Sequence, residues 1–170
     1  PEQCGNPLAL RQSRPTTTFA QDMEPEYIAT SHDSRTAWVT LQENNAIAIV
    51  DIRSATVTDV MGLGTKNHSL AGNGLDASNE DDAINITNWP VLGTYVPDAI
   101  AAYRTRGRNY LVTANEADGR EYAYDASEED CLAAGHTYDD GDCFSWVDET
   151  RVRDVTLDPF VFTDSTPQEK

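Results

Sequence analysis

Short apolar runs separated by polar turns dominate residues 24–62. Residues 27–31, 36–41, 46–52 and 56–61 are rich in β-branched, aromatic and small apolar side chains. Ser, Asp, Asn and Arg fill most of the gaps between these runs. Runs of this length and composition predict strands, and short polar gaps predict tight turns. Residues 24–62 are therefore predicted to form four consecutive antiparallel strands.

The first half of this unit recurs later in the chain. The sequences PEYIA at 25–29 and WVTLQE at 38–43 return as PDAIA at 97–101 and LVTANE at 111–116, an offset of 72 or 73 residues. A repeated unit of short strands is typical of a β-propeller, whose blades are four-stranded sheets. An ordinary meander in a β-sandwich is the alternative. The predicted fold is all-β: part of a β-propeller, with about one and a half blades visible.

Two acidic loop insertions interrupt the predicted blades. After an irregular segment at 1–21, the first blade spans 24–62 and a loop insertion spans 63–96. The second blade spans 97–162 and contains an acidic, Cys-bearing insertion at 117–149. A complete propeller has about 4–8 blades, so residues 1–170 are expected to be a single incomplete propeller. The remaining blades would come from the same precursor or another chain, in a homo- or hetero-assembly.

The net charge of −17 limits the classes of partner. Nucleic acid and anionic membranes carry phosphates, which an acidic surface repels, so neither is expected to bind. The chain has no apolar run of about 18 residues, and no membrane insertion is expected in this segment. It opens at Pro1 without a leader, so we expect that any signal peptide has been removed. The acidity favours cations instead, calcium in particular.

Three cysteines and two sequons favour an oxidising, extracellular compartment. A disulfide between Cys131 and Cys143 would close a short loop and contribute about 3 kcal/mol in the chain-entropy model. The alternative, a metal site that adds His136, fits no common zinc spacing. Cys4 would pair outside this chain. The sequons at Asn67 and Asn85 predict glycosylation.

Several stretches resemble the choice-of-anchor I domain family. They are EPEYIA (24–29), AWVTLQENNAIAIVDI (37–52), GNGLDAS (72–78), INITNWP (84–90), YVPDAIAAY (95–103), YLVTANEADGREY (110–122) and RVRDVTLDP (151–159). Residues 44–64 are also similar to the YVTN-type propeller repeat. The resemblance implies a secreted or surface-attached β-propeller, and the family includes mesenchyme-specific cell-surface glycoproteins linked to biomineralisation. The Cys-bearing loop at 122–146 departs from the family pattern.

The loop at 76–82 is a candidate calcium site. Calcium takes six to eight oxygen ligands, and acids or Ser at alternating positions of a loop can wrap one ion. This spacing is met by Asp76, Ser78, Glu80 and Asp82, and Asn85 could add a carbonyl. The glycine of an EF-hand loop is replaced by Asp81. The alternative is a solvated acidic turn.

The repeated acids are a second candidate cation site. Glu43 and Glu116 end the second strand of each repeat, and Asp118 follows closely. Equivalent positions of successive blades lie at the same height around a propeller axis, where paired carboxylates could hold a cation. The alternative is that such acids accept hydrogen bonds from turn amides, which is also the interpretation for Glu26 and Asp98.

Two functional hypotheses follow. The first is a non-catalytic, calcium-binding extracellular propeller that acts as a structural, matrix or adhesion component. The second is an enzyme, because some relatives in the resembled family occur beside phosphatase or nucleotidase domains. In that metal-dependent phosphoesterase, Glu43, Glu116 and Asp118 would hold metal, and phosphate would meet Arg104, Arg106 or Arg108. No sequence motif for a nucleophile or general acid supports it.

Overall fold

The predicted four-stranded sheet forms. A computed structural model describes residues 17–78 and 81–149. After a single-turn helix α1 (Phe19–Asp22), the first sheet runs in the order β1 (Pro25–Thr30), β2 (Thr36–Leu41), β3 (Ala46–Asp51) and β4 (Thr56–Gly62). Every neighbouring pair is antiparallel. The all-β fold class is thereby confirmed, as a set of several small antiparallel sheets.

Three further sheets follow in the described chain. Strands β5 (Thr65–Asn67) and β6 (Leu92–Thr94) pair with each other, as do β7 (Pro97–Thr105) and β8 (Arg108–Asn115). The second predicted insertion contains β9 (Glu121–Tyr124), helix α2 (Glu128–Ala133), β10 (Thr137–Asp139) and β11 (Asp142–Val147). These last strands form a sheet in the order β10-β11-β9. The strand expected within 151–162 lies outside the described residues.

The chain divides into two compact units. The first unit contains residues up to 67 together with 92–118, and the second contains 68–91 together with residues from 119 onward. The first sheet, the β5–β6 pair and the β7–β8 hairpin therefore belong to the first unit. Neither described helix approaches the length and apolar content of a membrane-spanning segment.

Both faces of the first sheet are covered, which explains the unbroken apolar run of β3. On one face, Ala46 and Ala48 pack with Leu41. On the other face, Ile47 packs with Ala29 and with Ile100 of β7. Side chains alternate between the two faces of a strand, so a strand that is covered on both sides is apolar at every position. The second copy of the repeat thus packs on the first through a shared core.

Tyr27 of β1 lies outside this core, although its residue type is typical of a buried strand position. Its side chain is 54% exposed, and that of Ile28 is 60% exposed. The register between β1 and β2 shifts between Pro25 and Ile28, which is a bulge. An extra residue in one strand interrupts the inward and outward alternation. Two consecutive apolar side chains therefore point away from the core.

Buried amides at the β2–β3 turn connect the first sheet to its neighbours. Asn45 is wholly buried and has a positive φ of 51°. Its Nδ2 donates to the carbonyl of Gly64 at 2.8 Å. Its Oδ1 accepts from the N–H groups of Tyr95 at 2.9 Å and Val96 at 3.1 Å. One side chain therefore fixes the chain both before β5 and before β7.

Two neighbouring polar side chains have similar roles. Asn44 is also wholly buried, and its Nδ2 donates to the carbonyl of Asp22 at 3.1 Å and to its Oδ2 at 2.9 Å. Thr40 Oγ1 donates to the carbonyl of Asp98 at 2.8 Å and accepts from the N–H of Tyr27 at 2.9 Å. These bonds attach α1, β1 and β7 to the end of β2 and the turn that follows it.

Replacing Asn45 should destabilise the first unit more than any surface change. We expect Asn45→Gly to lower the free energy of unfolding by about 3 kcal/mol, because buried donors and carbonyls lose their partners. Asn45→Ala should lose about 1 kcal/mol more, because a Cβ disfavours the positive φ. Urea unfolding of both variants measures these losses. Equal stability of the wild type and both variants would contradict the role of Asn45.

The turns at the other end of the sheet predict an acid sensitivity. Hydrogen bonds from Ser31 Oγ and from the N–H of Arg35 hold the pKa of Asp33 below its ordinary value of 3.8. The N–H and then the hydroxyl of Ser54 lower the pKa of Asp51 in the same way. A lowered pKa in the folded state stabilises the fold above the ordinary pKa. That contribution is lost as the pH falls through the lowered values.

Melting temperatures between pH 5 and pH 2.5 test this dependence. The double variant Asp33→Asn, Asp51→Asn should lose less of its melting temperature on acidification than the wild type, because it lacks both titrations. The matched control is Asp59→Asn, on β4. If all three proteins show parallel curves, the two turn carboxylates make no acid-dependent contribution.

Candidate functional site

The two ends of the first unit differ in charge. We call one end the acidic end; it comprises the turn 42–45, the start of β7 at 97–98 and the segment 115–118. We call the other the arginine end; it comprises the turns 31–35, 52–55 and 106–107. The strand registers define these ends, because Leu41 pairs with Ala46 at one and Thr36 pairs with Asp51 at the other. In the second sheet, Pro97 pairs with Asn115 and Thr105 pairs with Arg108.

The repeated glutamates both lie at the acidic end. Gln42 is 4% exposed, and its Nε2 donates to Oε2 of Glu116 at 3.1 Å. Glu43 is 8% exposed in the turn that follows β2, whereas Glu116 and Asp118 are exposed. The last residues of the two repeated phrases therefore come together, through Gln42 rather than through paired carboxylates. Metal binding by Glu43, Glu116 and Asp118 stays a prediction.

The loop 68–91 has a defined local structure in its described part. The N–H of His68 donates to the carbonyl of Val91 at 3.0 Å and closes the base of the loop. Trp89 is 3% exposed, and its Nε1 donates to the carbonyl of Leu75 at 3.1 Å. Leu75 and Thr87 form an isolated antiparallel bridge. A buried Trp with its N–H satisfied is a stable anchor for a long loop.

The predicted calcium ligands lie in this loop. Asp76 Oδ2 accepts from the N–H of Asn85 at 3.0 Å, and its Oδ1 lies 3.4 Å from the N–H of Ser78. The carboxylate therefore holds the two sides of the loop together. Asp82 is exposed and has a positive φ of 50°. Glu80 lies outside the described residues.

Within the described parts of the chain, no three His, Cys, Asp or Glu side chains are grouped closely enough to hold a metal ion. Serine hydroxyls and main-chain carbonyls, which also bind calcium, are not among these side chains. Asp76 is half-buried, and backbone amides contact both of its carboxylate oxygens. Each oxygen has a further lone pair that could bind a cation. Calcium binding at 76–82 therefore stays a prediction.

The two sequon asparagines differ in their surroundings. Asn67 ends β5 and is half-buried. Asn85 is also half-buried, but it lies between Ile84 and Ile86, which are 89% and 69% exposed. The chain around Asn85 is therefore the more accessible of the two. Glycosylation of either residue stays a prediction.

The Cys-bearing insertion folds around a disulfide. Cys131 of α2 and Cys143 of β11 are bonded, and both are fully buried. Ser127 caps the helix, with its Oγ accepting from the N–H of Asp130 at 3.1 Å. The expected disulfide is present, and bonded cysteines cannot act as thiolate ligands for zinc. Cys4 lies outside the described residues.

The structure does not bring together the parts of the hypothetical phosphoesterase site. Arg104 pairs with Asn109 in the β7–β8 hairpin at the arginine end. Glu116 lies at the acidic end, next to the residue that pairs with Pro97. Arg104 lies seven residue steps along the extended strand from Pro97, a distance of about 23 Å. A phosphate could not contact both the arginines and a metal held by the glutamates.

Sequence reasoning missed the buried polar side chains of the β2–β3 turn. It assigned Asn44 and Asn45 to an ordinary polar turn, although both are wholly buried. Two adjacent asparagines at a hairpin turn are common, because Asn tolerates a positive φ. Only the repeat, which places another strand pair beside this turn, could have indicated that the amides were covered.

Comparison with known proteins identifies the family. The model of the choice-of-anchor I domain matches residues 5–169, which is nearly the whole chain. Neither the search of curated proteins nor the search of solved structures returned a match. Membership of this family indicates a surface-anchoring role, at the cell surface or outside the cell. The chain belongs to the choice-of-anchor I domain family.

Proposed function

We propose that the chain is a non-catalytic, extracellular β-propeller segment that acts as a structural, matrix or adhesion component. The observation that carries the proposal is the packing of the second repeat against the first. Successive propeller blades are four-stranded antiparallel sheets arranged around a common axis. The order β1-β2-β3-β4 has the connectivity of one blade, and β7–β8 corresponds to the first two strands of the next.

Three contacts between the repeats support this interpretation. Ile100 of β7 joins Ala29 and Ile47 in one apolar cluster. Thr40 Oγ1 donates to the carbonyl of Asp98 at 2.8 Å. Gln42 donates to Glu116 at the end of the equivalent strand. The two sheets therefore contact each other through side chains, which is also how adjacent propeller blades pack. Within the described chain, no continuous strand ladder joins β1–β4 to β7–β8. The remaining blades are proposed to come from the same precursor or another chain.

Electron microscopy of the protein purified from its natural source tests the propeller. We expect ring-shaped particles with about 4–8 radial blades, because open sheet edges favour pairing with further strands. The purified polypeptides should be identified by mass spectrometry, so that blades from the same chain and from a partner can be distinguished. Particles built from two stacked sheets without a central channel would contradict the propeller and support a sandwich.

Calcium binding by the loop 76–82 is the second part of the proposal. The net charge of −17 favours divalent cations, and Asp76 already draws the two sides of the loop together. Asp76, Ser78, Glu80 and Asp82 would hold the ion, which would reduce repulsion among the acids. Bound calcium would order the loop and supply no chemistry to a reaction. Extracellular calcium modules bind with Kd values of about 0.1–1 mM.

A calcium titration followed by thermal unfolding tests this part. With a Kd of about 0.1 mM, 10 mM calcium should stabilise the fold by about 2.7 kcal/mol relative to chelator. Asp76→Asn should abolish the response, whereas Asp59→Asn, an exposed aspartate on β4, should retain it. A melting temperature that ignores both calcium and chelator would remove calcium from the proposal and leave the propeller untouched.

A further inference from the structure

A cleft of about 660 Å³ opens at the arginine end of the first unit. One wall is the end of β1 and its turn, and the other is the β7–β8 hairpin. The side chains that matter here are Ser31, His32, Tyr103, Arg104, Arg106 and Asn109. The volume lies within the range of about 300–1,000 Å³ that is typical of ligand sites. All of its walls belong to the first unit.

The charge around this cleft is opposite to that of the chain as a whole. The three turns of the arginine end and the strand residues that flank them carry Arg35, Arg53, Arg104, Arg106 and Arg108. The carboxylates in the same segments are Asp33 and, at the end of β3, Asp51. Both aspartates accept hydrogen bonds inside their own turns. A local excess of positive charge in a protein of net charge −17 is an attractive point for a small anion.

The tip of the β7–β8 hairpin has an unusual residue. Arg106 and Gly107 have positive φ values of 48° and 77° between the paired residues Thr105 and Arg108. This is the pattern of a type I′ turn, in which Asn, Asp or Gly is usual at the first position. A left-handed conformation is unfavourable for a residue with a Cβ. Arg106 occupies this position at the mouth of the cleft, where its side chain is exposed.

Polar and aromatic groups complete the lining. Arg104 and Arg106 are exposed, and within the described chain neither makes an ion pair with a carboxylate. Tyr103 stacks on Tyr110 with ring centroids 5.3 Å apart, and the two side chains are 52% and 42% exposed. A tyrosine combines an apolar ring with a polar edge. Such rings suit the face of a sugar, while Asn109 can hydrogen bond with its hydroxyls.

We propose that this cleft binds a sulfated oligosaccharide, with sulfate esters paired to Arg104 and Arg106 and a sugar ring against Tyr103. The guanidinium fork matches the oxygens of a tetrahedral oxyanion in two parallel hydrogen bonds. The acidic remainder of the surface repels long polyanions, so the ligand is a short segment with localised charge. The proposal does not depend on calcium or on the number of blades.

Isothermal titration of the full chain with a chondroitin sulfate tetrasaccharide tests the site. The same tetrasaccharide after chemical desulfation keeps its carboxylates and is the matched ligand. We expect the sulfated sugar to bind at least tenfold more tightly than the desulfated one. Inorganic phosphate and a phosphoserine peptide form the other arms, and each should bind more weakly than the sulfated sugar.

Two variants probe the arginines without disturbing the fold. Arg104→Gln removes one guanidinium, and Arg106→Gly removes the other while supplying the residue that a type I′ turn prefers. Each variant alone should weaken binding of the sulfated sugar more than threefold, and the two together at least tenfold. Arg53→Gln removes an equal charge from the same end but outside the cleft, and it should change the affinity by less than threefold. Melting temperatures show whether each variant is folded.

The competing outcomes are distinct. Equal losses for Arg53→Gln and for Arg104→Gln would show general attraction to positive charge and overturn the cleft. Equal binding of the desulfated sugar would overturn the role of sulfate. Tighter binding of the phosphoserine peptide would overturn the sugar and assign the cleft to a phosphorylated protein. If Arg104→Gln unfolds the chain, the Arg106→Gly variant still tests the proposal. An unchanged affinity of that variant for the sulfated sugar would contradict it.

Discussion

The buried amide of Asn45 is the constraint on which the first unit depends. A hairpin turn normally lies at the surface, where water satisfies its polar groups. Here the turn between β2 and β3 is covered, so each polar group needs a partner in the protein. Asn45 provides partners for Gly64, Tyr95 and Val96 with a single side chain. The chain before β5 and the chain before β7 are thereby held at one point, although the loop 68–91 separates them.

The β5–β6 pair explains how a long insertion can leave this core intact. Asn67 at the end of β5 pairs with Leu92 at the start of β6. Both ends of the loop 68–91 are thus already close together, and the entropy of closing a loop grows only slowly with its length. The three-residue β5–β6 ladder and the hydrogen bonds of Asn45 offset the entropic cost of closing this loop. The loop sequence can then change without altering the contact between the repeats.

Local patterns predicted the strands well, because the information they need is local. The predicted strand 36–41 coincides with β2, and 46–52 differs from β3 by one residue. The exposure of Tyr27 and Ile28 does not follow from strand alternation, since alternation assumes a continuous ladder and a bulge interrupts it. The strands of the second insertion were missed, because a largely acidic segment shows little apolar periodicity. There the buried disulfide between Cys131 and Cys143 links α2 to β11.

The candidate sites depend on longer-range information. The repeat predicted that Glu43 and Glu116 would lie at the same end, and the bond observed there is donated by the neighbouring Gln42 to Glu116. It could not indicate that five arginines would lie at the opposite end, since these residues are spread from 35 to 108. That grouping arises because Ile100 of β7 packs with Ala29 of β1, and the ends of both strands line one cleft. The contact that aligns the repeats therefore also separates the charge of the first unit into an acidic and an arginine end.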